Sequence, residues 1–220
     1  MTIYYFHKAI MPNIIPDQQI NKGYFFTSDT GVSYDSLTIP YLTIPEGLIL
    51  ECGEHNDQRF YRLLEFHSEE VVALMKLLPE TVHTHDYWTI KKVSALIKRN
   101  GYGTLLYKAA ILNNDTAILS DKTQTLPGSV NVWKNLHSHW QSKRKEIYIL
   151  NSRNGHIIPF SSQIPDHDIW GYDEDILHEI ITDEDTLHSM HDYGSVSTEL
   201  FEFLKDNLKA LSDKRYIRLI

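Results

Sequence analysis

The chain has 220 residues with 42% hydrophobic and 23% charged content, enough for one sizeable core and too apolar for wholesale disorder. A formal net charge of −8 argues against a general nucleic-acid binder, because phosphate recognition needs a cationic surface. The single cysteine, Cys52, excludes an internal disulfide and a thiolate zinc cluster.

Residues 1–45 read as β-like and loop-rich: Thr2–His7 alternates weakly, Gly23–Thr27 is a short aromatic run, and Ile39-Pro40 and Ile44-Pro45 force extended backbone before each proline. The N-terminus lacks the charged, apolar and small-residue regions of a signal peptide, and no run reaches the ~18–20 apolar residues of a bilayer span. A cytoplasmic protein without a membrane partner is the expectation.

Strand candidates follow at Gly47–Cys52 (GLILEC) and Arg59–Phe66 (RFYRLLEF), joined by the turn-prone GEHNDQ. Val71–Leu78 (VVALMKLL) is short enough to be strand or helix; its β-branched start and the Pro79 stop favour a strand. Trp88–Ile97 (WTIKKVSALI) alternates, and the four together predict an antiparallel meander. The pattern then changes to a helix over Gly103–Asn113, a short buried strand over Thr116–Ser120, a helix over Val130–Trp140 and a strand over Glu146–Leu150. That order implies parallel or mixed pairing at its centre.

The last sixty residues differ in character. After Pro165, fourteen acidic residues face five basic ones. Leu200–Leu211 (LFEFLKDNLKAL) has amphipathic helical spacing, and Asp173–Thr186 is weakly helical and acidic. The predicted division is an N-terminal extension or edge layer (1–45), a core (46–150) and an acidic C-terminal segment (151–220) packed on it or appended to it. The fold class is α+β.

One stretch carries chemistry. In IKRNGYGTLLYKAAI, the cations Lys98 and Arg99 precede Gly101 and Gly103, and a helix follows at once. A first helical turn leaves N–H groups unpaired at the positive end of the dipole, and glycines let a diphosphate approach them. Thr104 adds a hydroxyl. The GxxxxGK[ST] pattern is absent, and GYGTLL has leucine where the dinucleotide fingerprint has its third glycine.

KRNGYGTLLYKAAI resembles motif A of the GNAT superfamily of N-acetyltransferases, R/Q-x-x-G-x-G/A, with Lys98 in the first position and Gly101 and Gly103 at the glycines. SDKTQTLPGSVNVWKNL is similar to the pattern that follows it in that superfamily, and the resemblance spans residues 46–150. It implies a central, mostly antiparallel sheet flanked by helices. It also implies acetyl-CoA or another acyl-CoA as cofactor, held by Lys98, Arg99, Gly101, Gly103 and Thr104, with Val93 and Ala95 of the preceding strand offering backbone N–H groups to the thioester carbonyl. The implied activity is acyl transfer to an amine, small-molecule or protein, by direct attack in a ternary complex. Trp133 stands where the superfamily places a tyrosine acid. Base candidates are Glu65, the polar residues of HTHDYW (His83, His85, Asp86), Asp121 and Thr123, of which Asp121 and His85 are preferred. The histidine pairs in HTHD, HSHW and HSMHD do not make a zinc ligand set, so no metal is expected. The alternative is a catalytically weak or inactive binding or inhibitor protein on the same scaffold, engaging a protein partner through its acidic C-terminal surface.

Overall fold

The computed structural model describes residues 3–7, 13–16, 26, 29, 31–96, 100–120, 123–126, 129–140, 146–150, 155–161, 163–164, 171–172, 184–192, 198, 201–202 and 204–205. Its strands are β1 (Ile3–His7), β2 (Asn13–Pro16), β3 (Ser33–Ser36), β4 (Leu48–His55), β5 (Gln58–Glu65), β6 (Val71–Val82), β7 (His85–Ala95), β8 (Ile118–Leu119), β9 (Thr123–Leu126), β10 (Glu146–Leu150), β11 (Ile157–Pro159) and β12 (Gly171–Tyr172). The helices are α1 (Tyr102–Asn113), α2 (Ser129–Trp140) and α3 (Glu184–Asp192). Nine strands form one sheet in the order β11-β10-β1-β8-β7-β6-β5-β4-β3, and β12-β2-β9 form a small parallel sheet. Five of the eight ladders in the large sheet are antiparallel, so the fold is mixed α+β with a mostly antiparallel sheet.

The meander from β4 to β7 follows from its turns. Asn56 and Asp57, between β4 and β5, both hold positive φ (50° and 56°), the two-residue hairpin geometry for which Asn and Asp are suited. Strand β6 does not stop at Pro79 but runs on to Val82. The reason lies in its neighbour: β5 pairs with β6 only as far as Arg59↔Leu77, so Pro79 sits where β6 has an open edge and needs no N–H there.

The N-terminal segment corrects its expected place. Strand β3 lies at the sheet edge, as an edge layer requires, but β1 is interior and parallel to both β8 and β10. Together β7, β8, β1 and β10 make the parallel centre. Both crossovers, β7-α1-β8 and β8-α2-β10, step in the same direction across the sheet, and α1 and α2 meet on one face through Tyr107 and Trp133.

That face holds the main core. Leu106, Ala109, Ala110 and Ile111 of α1 pack with Met75, Leu77 and Ile90 of the sheet and with Val130, Trp133 and Leu136 of α2. Burial of each Leu, Ile, Val or Met side chain among them contributes about 1.5–3 kcal/mol. Leu187, Phe201 and Leu204 join the same core, while Glu202 and Lys205 are exposed. Residues 201–202 and 204–205 are helical, in keeping with the amphipathic spacing predicted there. Thus the acidic segment is anchored by apolar side chains. The aromatic run other than Phe26, and residues 173–183 of the expected acidic helix, lie outside the described residues.

A polar network closes the C-terminal end of α1. Arg59 donates to Asn114, lies 4.4 Å over the Trp88 ring and pairs with Glu54. The Asn114 and Asn113 amides donate to the Tyr61 hydroxyl at 2.9 and 3.0 Å. Asn114→Leu strips the buried Tyr61 and Arg59 of a partner at once. It is expected to cost about 1–3 kcal/mol in urea unfolding.

Burial pushes the Tyr61 phenol up to about 12 from 10.0. The folded form therefore holds this proton more tightly than the unfolded chain does. The resulting stabilisation is present in full below pH ~10 and is lost as the pH climbs to about 12, on the order of 2–3 kcal/mol. Unfolding curves across that window, followed alongside tyrosinate absorbance, are expected to show this decline, reduced in Tyr61→Phe.

Candidate functional site

The glycine stretch lies where β7 leaves the sheet and α1 begins. Gly101 is the residue before the helix, in the left-handed conformation (φ 76°, ψ 2°), and its carbonyl accepts the first helical bond from the Leu105 N–H at 2.9 Å. No side chain caps this end, and the first turn carries no acidic residue. The N–H groups of Tyr102, Gly103 and Thr104 therefore have no intrahelical acceptor, and the positive end of the dipole is uncompensated by a carboxylate on its own turn. A Cβ on Gly101 would meet nothing within 4 Å, so the space before the helix is open. At Gly103 a Cβ would lie 3.9 Å from Val93 Cγ1, which places the first turn of α1 against β7.

Beside this loop the sheet opens. β7 and β8 pair only at Trp88↔Ile118 and Thr89↔Leu119, yet β7 continues to Ala95. From Ile90 onward, the β8 side of β7 has no ladder partner among the described residues. The parting coincides with a bulge: Lys76 faces Lys92 and Leu77 faces Ile90, leaving Lys91 as the extra residue. A bulge increases local twist and ends regular pairing, which accounts for the divergence. The doubled lysine in TIKKVSA, which breaks the strict alternation, was its signal in the sequence.

The structure thus sets Gly103 against Val93, with Ala95, Gly101 and Thr104 near them along the chain. Lys98, Arg99 and Asp121 lie outside the described residues. His85 is not brought to this place. It is exposed at the hairpin end of β7, four residues before Thr89 and ten before Ala95. At about 3.3 Å per residue these are roughly 13 and 33 Å, beyond hydrogen-bond reach of the parting strands. Of the other base candidates, Glu65 accepts from the Ser68 N–H at 2.7 Å in the β5–β6 turn, and Asp86 accepts from the Thr81 hydroxyl. Both have local structural roles.

Trp133 is fully buried, with its ring edge-on to Tyr107 at 5.4 Å. Tyr107 is buried too, so both aromatic rings belong to the α1–α2 core. Cys52 is half-buried, and burial pushes its thiol up, away from nucleophilic thiolate chemistry. No group of three His, Cys, Asp or Glu side chains assembles among the described residues as a metal site. Two buried hydroxyls sit on the diverging strands: Ser94 on β7 and Ser120 just after β8, neither with a hydrogen-bond partner among the described residues. Residue pattern alone did not single them out, since a lone serine in an apolar run has no spacing signature.

A separate cavity of about 360 Å³ lies at the β4–β6 end of the sheet, lined by Ile49, Glu51, Arg62, Leu64, Phe66 and Val71 among others. Its central cation is already engaged: Arg62 bonds Glu51 at 2.7 Å, approaches Asp29 at 3.5 Å and covers the Tyr34 ring at 3.6 Å. This cluster ties β3 to β5. No helix among the described residues is long and apolar enough to cross a membrane. No protein-family model matches the chain, and no curated protein sequence does either.

Proposed function

We propose that the chain is an acyl-CoA-dependent N-acyltransferase working in the cytoplasm. The observation that carries the reading is an uncapped helix N-terminus, opened by left-handed Gly101, immediately after a strand that parts from its parallel neighbour. Under this reading the N–H groups at Tyr102, Gly103 and Thr104 receive the diphosphate, with Lys98 and Arg99 adding charge. The N–H groups of the Val93–Ala95 stretch hold the thioester carbonyl along the open side of β7. Acyl-CoA supplies the activated acyl group. The amine nitrogen bonds to the acyl carbon as the C–S bond breaks. Of the two protons the ammonium sheds, one goes to a base and one to the thiolate. Asp121, next to Ser120 at the end of β8, remains the proposed base; His85 is too far along β7.

A specific observation favours a second reading, a binding protein with little catalysis. The position aligned with the superfamily's tyrosine acid is Trp133, whose ring is locked in the core. Calorimetric titration with acetyl-CoA, combined with CoA thiol release over an amine panel, separates the two. Saturable binding with turnover supports the transferase. Binding without turnover supports the second reading, and no saturable binding of any acyl-CoA removes the transferase.

A further inference from the structure

The cavity at the β4–β6 end of the sheet has an apolar floor and an acidic rim. The register sets Ile49 beside Leu64 and Leu64 beside Val71, so these three side chains share one face across β4, β5 and β6. It is the face away from α1, because Leu50 and Leu63, the adjacent cross-strand pair, belong to the main core. The Glu51–Arg62 pair closes one side of the floor, and the β5–β6 turn closes the other with Glu65, Phe66 and Glu69. The Phe66 N–H donates to the Gly47 carbonyl at 2.8 Å, which fixes this turn against the start of β4. The space of about 360 Å³ lies within the range of ligand-binding clefts.

Apolar surface continues beyond the floor into water. Phe66 is 59% exposed and Leu96 45%, and β6 begins between them: the Leu96 N–H donates to the Val72 carbonyl at 2.9 Å. Large apolar side chains exposed beside a cleft mark a contact surface. The charge around the cleft has one sign. Segments 46–51 and 62–71 carry Glu46, Glu51, Glu65, Glu69 and Glu70 against one permanent cation, Arg62. Arg62 already pairs with Glu51 and approaches Asp29. Hydrogen bonds from Ser68 hold the Glu65 carboxyl below its usual range, so it is charged at neutral pH. Glu69 has φ 56°, a left-handed position that glycine suits better, so the turn by itself does not call for glutamate there.

We infer that this groove docks a short basic segment of a protein partner, an extended stretch whose arginine or lysine meets Glu65 and Glu69 while an apolar neighbour lies on Phe66 and the Ile49–Leu64–Val71 floor. In an extended chain alternate side chains fall on one side, roughly 7 Å apart, so a cation and an apolar residue two positions away reach rim and floor together. A lone small cation would meet the carboxylates and leave the floor in water. A cationic side chain on a peptide brings its own methylene stem and a neighbour to cover it. Docking here does not require acyl transfer, and it uses residues of β4–β6 rather than the acidic C-terminal segment.

Fluorescence anisotropy with a short labelled peptide of alternating arginine and leucine tests this. Saturable binding is expected, weakened about tenfold or more when the arginines become glutamate or the leucines become serine. Glu69→Gly and Phe66→Ser are each expected to weaken it about tenfold. The thermal midpoint of Glu69→Gly is expected to be unchanged or raised, because glycine relieves the left-handed position. Glu202→Gln removes an exposed carboxylate of the acidic segment and is expected to leave the affinity in place. No saturable binding of the peptide, or binding that Glu69→Gly and Phe66→Ser leave unchanged, overturns the proposal. A loss in Glu202→Gln as large as in Glu69→Gly overturns it in favour of attraction to the net charge alone. Displacement by a short diamine, with the arginine–serine peptide binding equally well, overturns it in favour of a small-cation site. Sedimentation checks the remaining occupant: a dimer of the parent chain that Phe66→Ser disperses assigns the groove to a second copy and overturns docking of a partner.

Discussion

Trp133→Ala is expected to cost about 3–5 kcal/mol, a large fraction of the usual ~5–15 kcal/mol of stability. The side chain is fully buried and meets Tyr107 edge-on across the α1–α2 contact, with Val130 and Leu136 one turn on either side. Removing it leaves a large void between two helices and a sheet that are each held by other contacts, so collapse is incomplete and the cavity persists. Denaturant midpoints from far-UV circular dichroism check the loss. Trp133→Tyr separates structure from chemistry. It introduces the residue type that the resembled acetyltransferases use as an acid, yet at a position whose ring packs against Tyr107 rather than at the parted strands. The expected result is a moderate loss of stability and no gain in thiol release. A marked gain in turnover would show that this position reaches the reacting atoms and would discard the core assignment.

Much of the fold was legible because its determinants are local. The apolar runs of GLILEC and RFYRLLEF on either side of a turn, the two turn residues Asn56 and Asp57, and the helical spacing after Gly103 each depend on neighbours within a few positions. Strand β1 was not legible in the same way. Its five residues say that it is a strand, but they hold no record of which gap in the sheet it fills, because its partners at Leu119 and at Glu146–Leu150 are more than a hundred residues away. Pro79 illustrates a related limit: a proline ends a strand only where a ladder bond is required, and that depends on how far β5 extends. At the site, the glycine loop was legible since its chemistry is backbone chemistry at a strand–helix junction. His85 has an imidazole and lies close in sequence to that junction. An extended strand converts a few residues into tens of ångströms, so closeness along β7 is not closeness in space.

Gly103→Glu is expected to reduce acyl-CoA affinity at least about a hundredfold while leaving the fold intact, and the reason is that two effects of one substitution have opposite signs. Position 103 is inside the first turn of α1, has room for a Cβ and lacks positive φ. Replacing glycine there with any good helix former adds about 0.5–1 kcal/mol to helix stability, and a carboxylate in the first turn adds a further few tenths through the dipole. The same carboxylate occupies the N–H groups proposed to receive the diphosphate and sets a like charge against it. Gly103→Ala is the partner experiment: stability rises, and affinity falls by a smaller factor, since only a methyl group intrudes. Gly101→Glu reports less cleanly, because at φ 76° every side chain adds about 1–2 kcal/mol of backbone strain. Calorimetric titration of all three with acetyl-CoA, beside their thermal midpoints, distinguishes a phosphate cradle from a turn. If Gly103→Glu is more stable than the parent and binds acetyl-CoA equally well, the glycines serve the chain's path alone and the cofactor reading of this loop is lost.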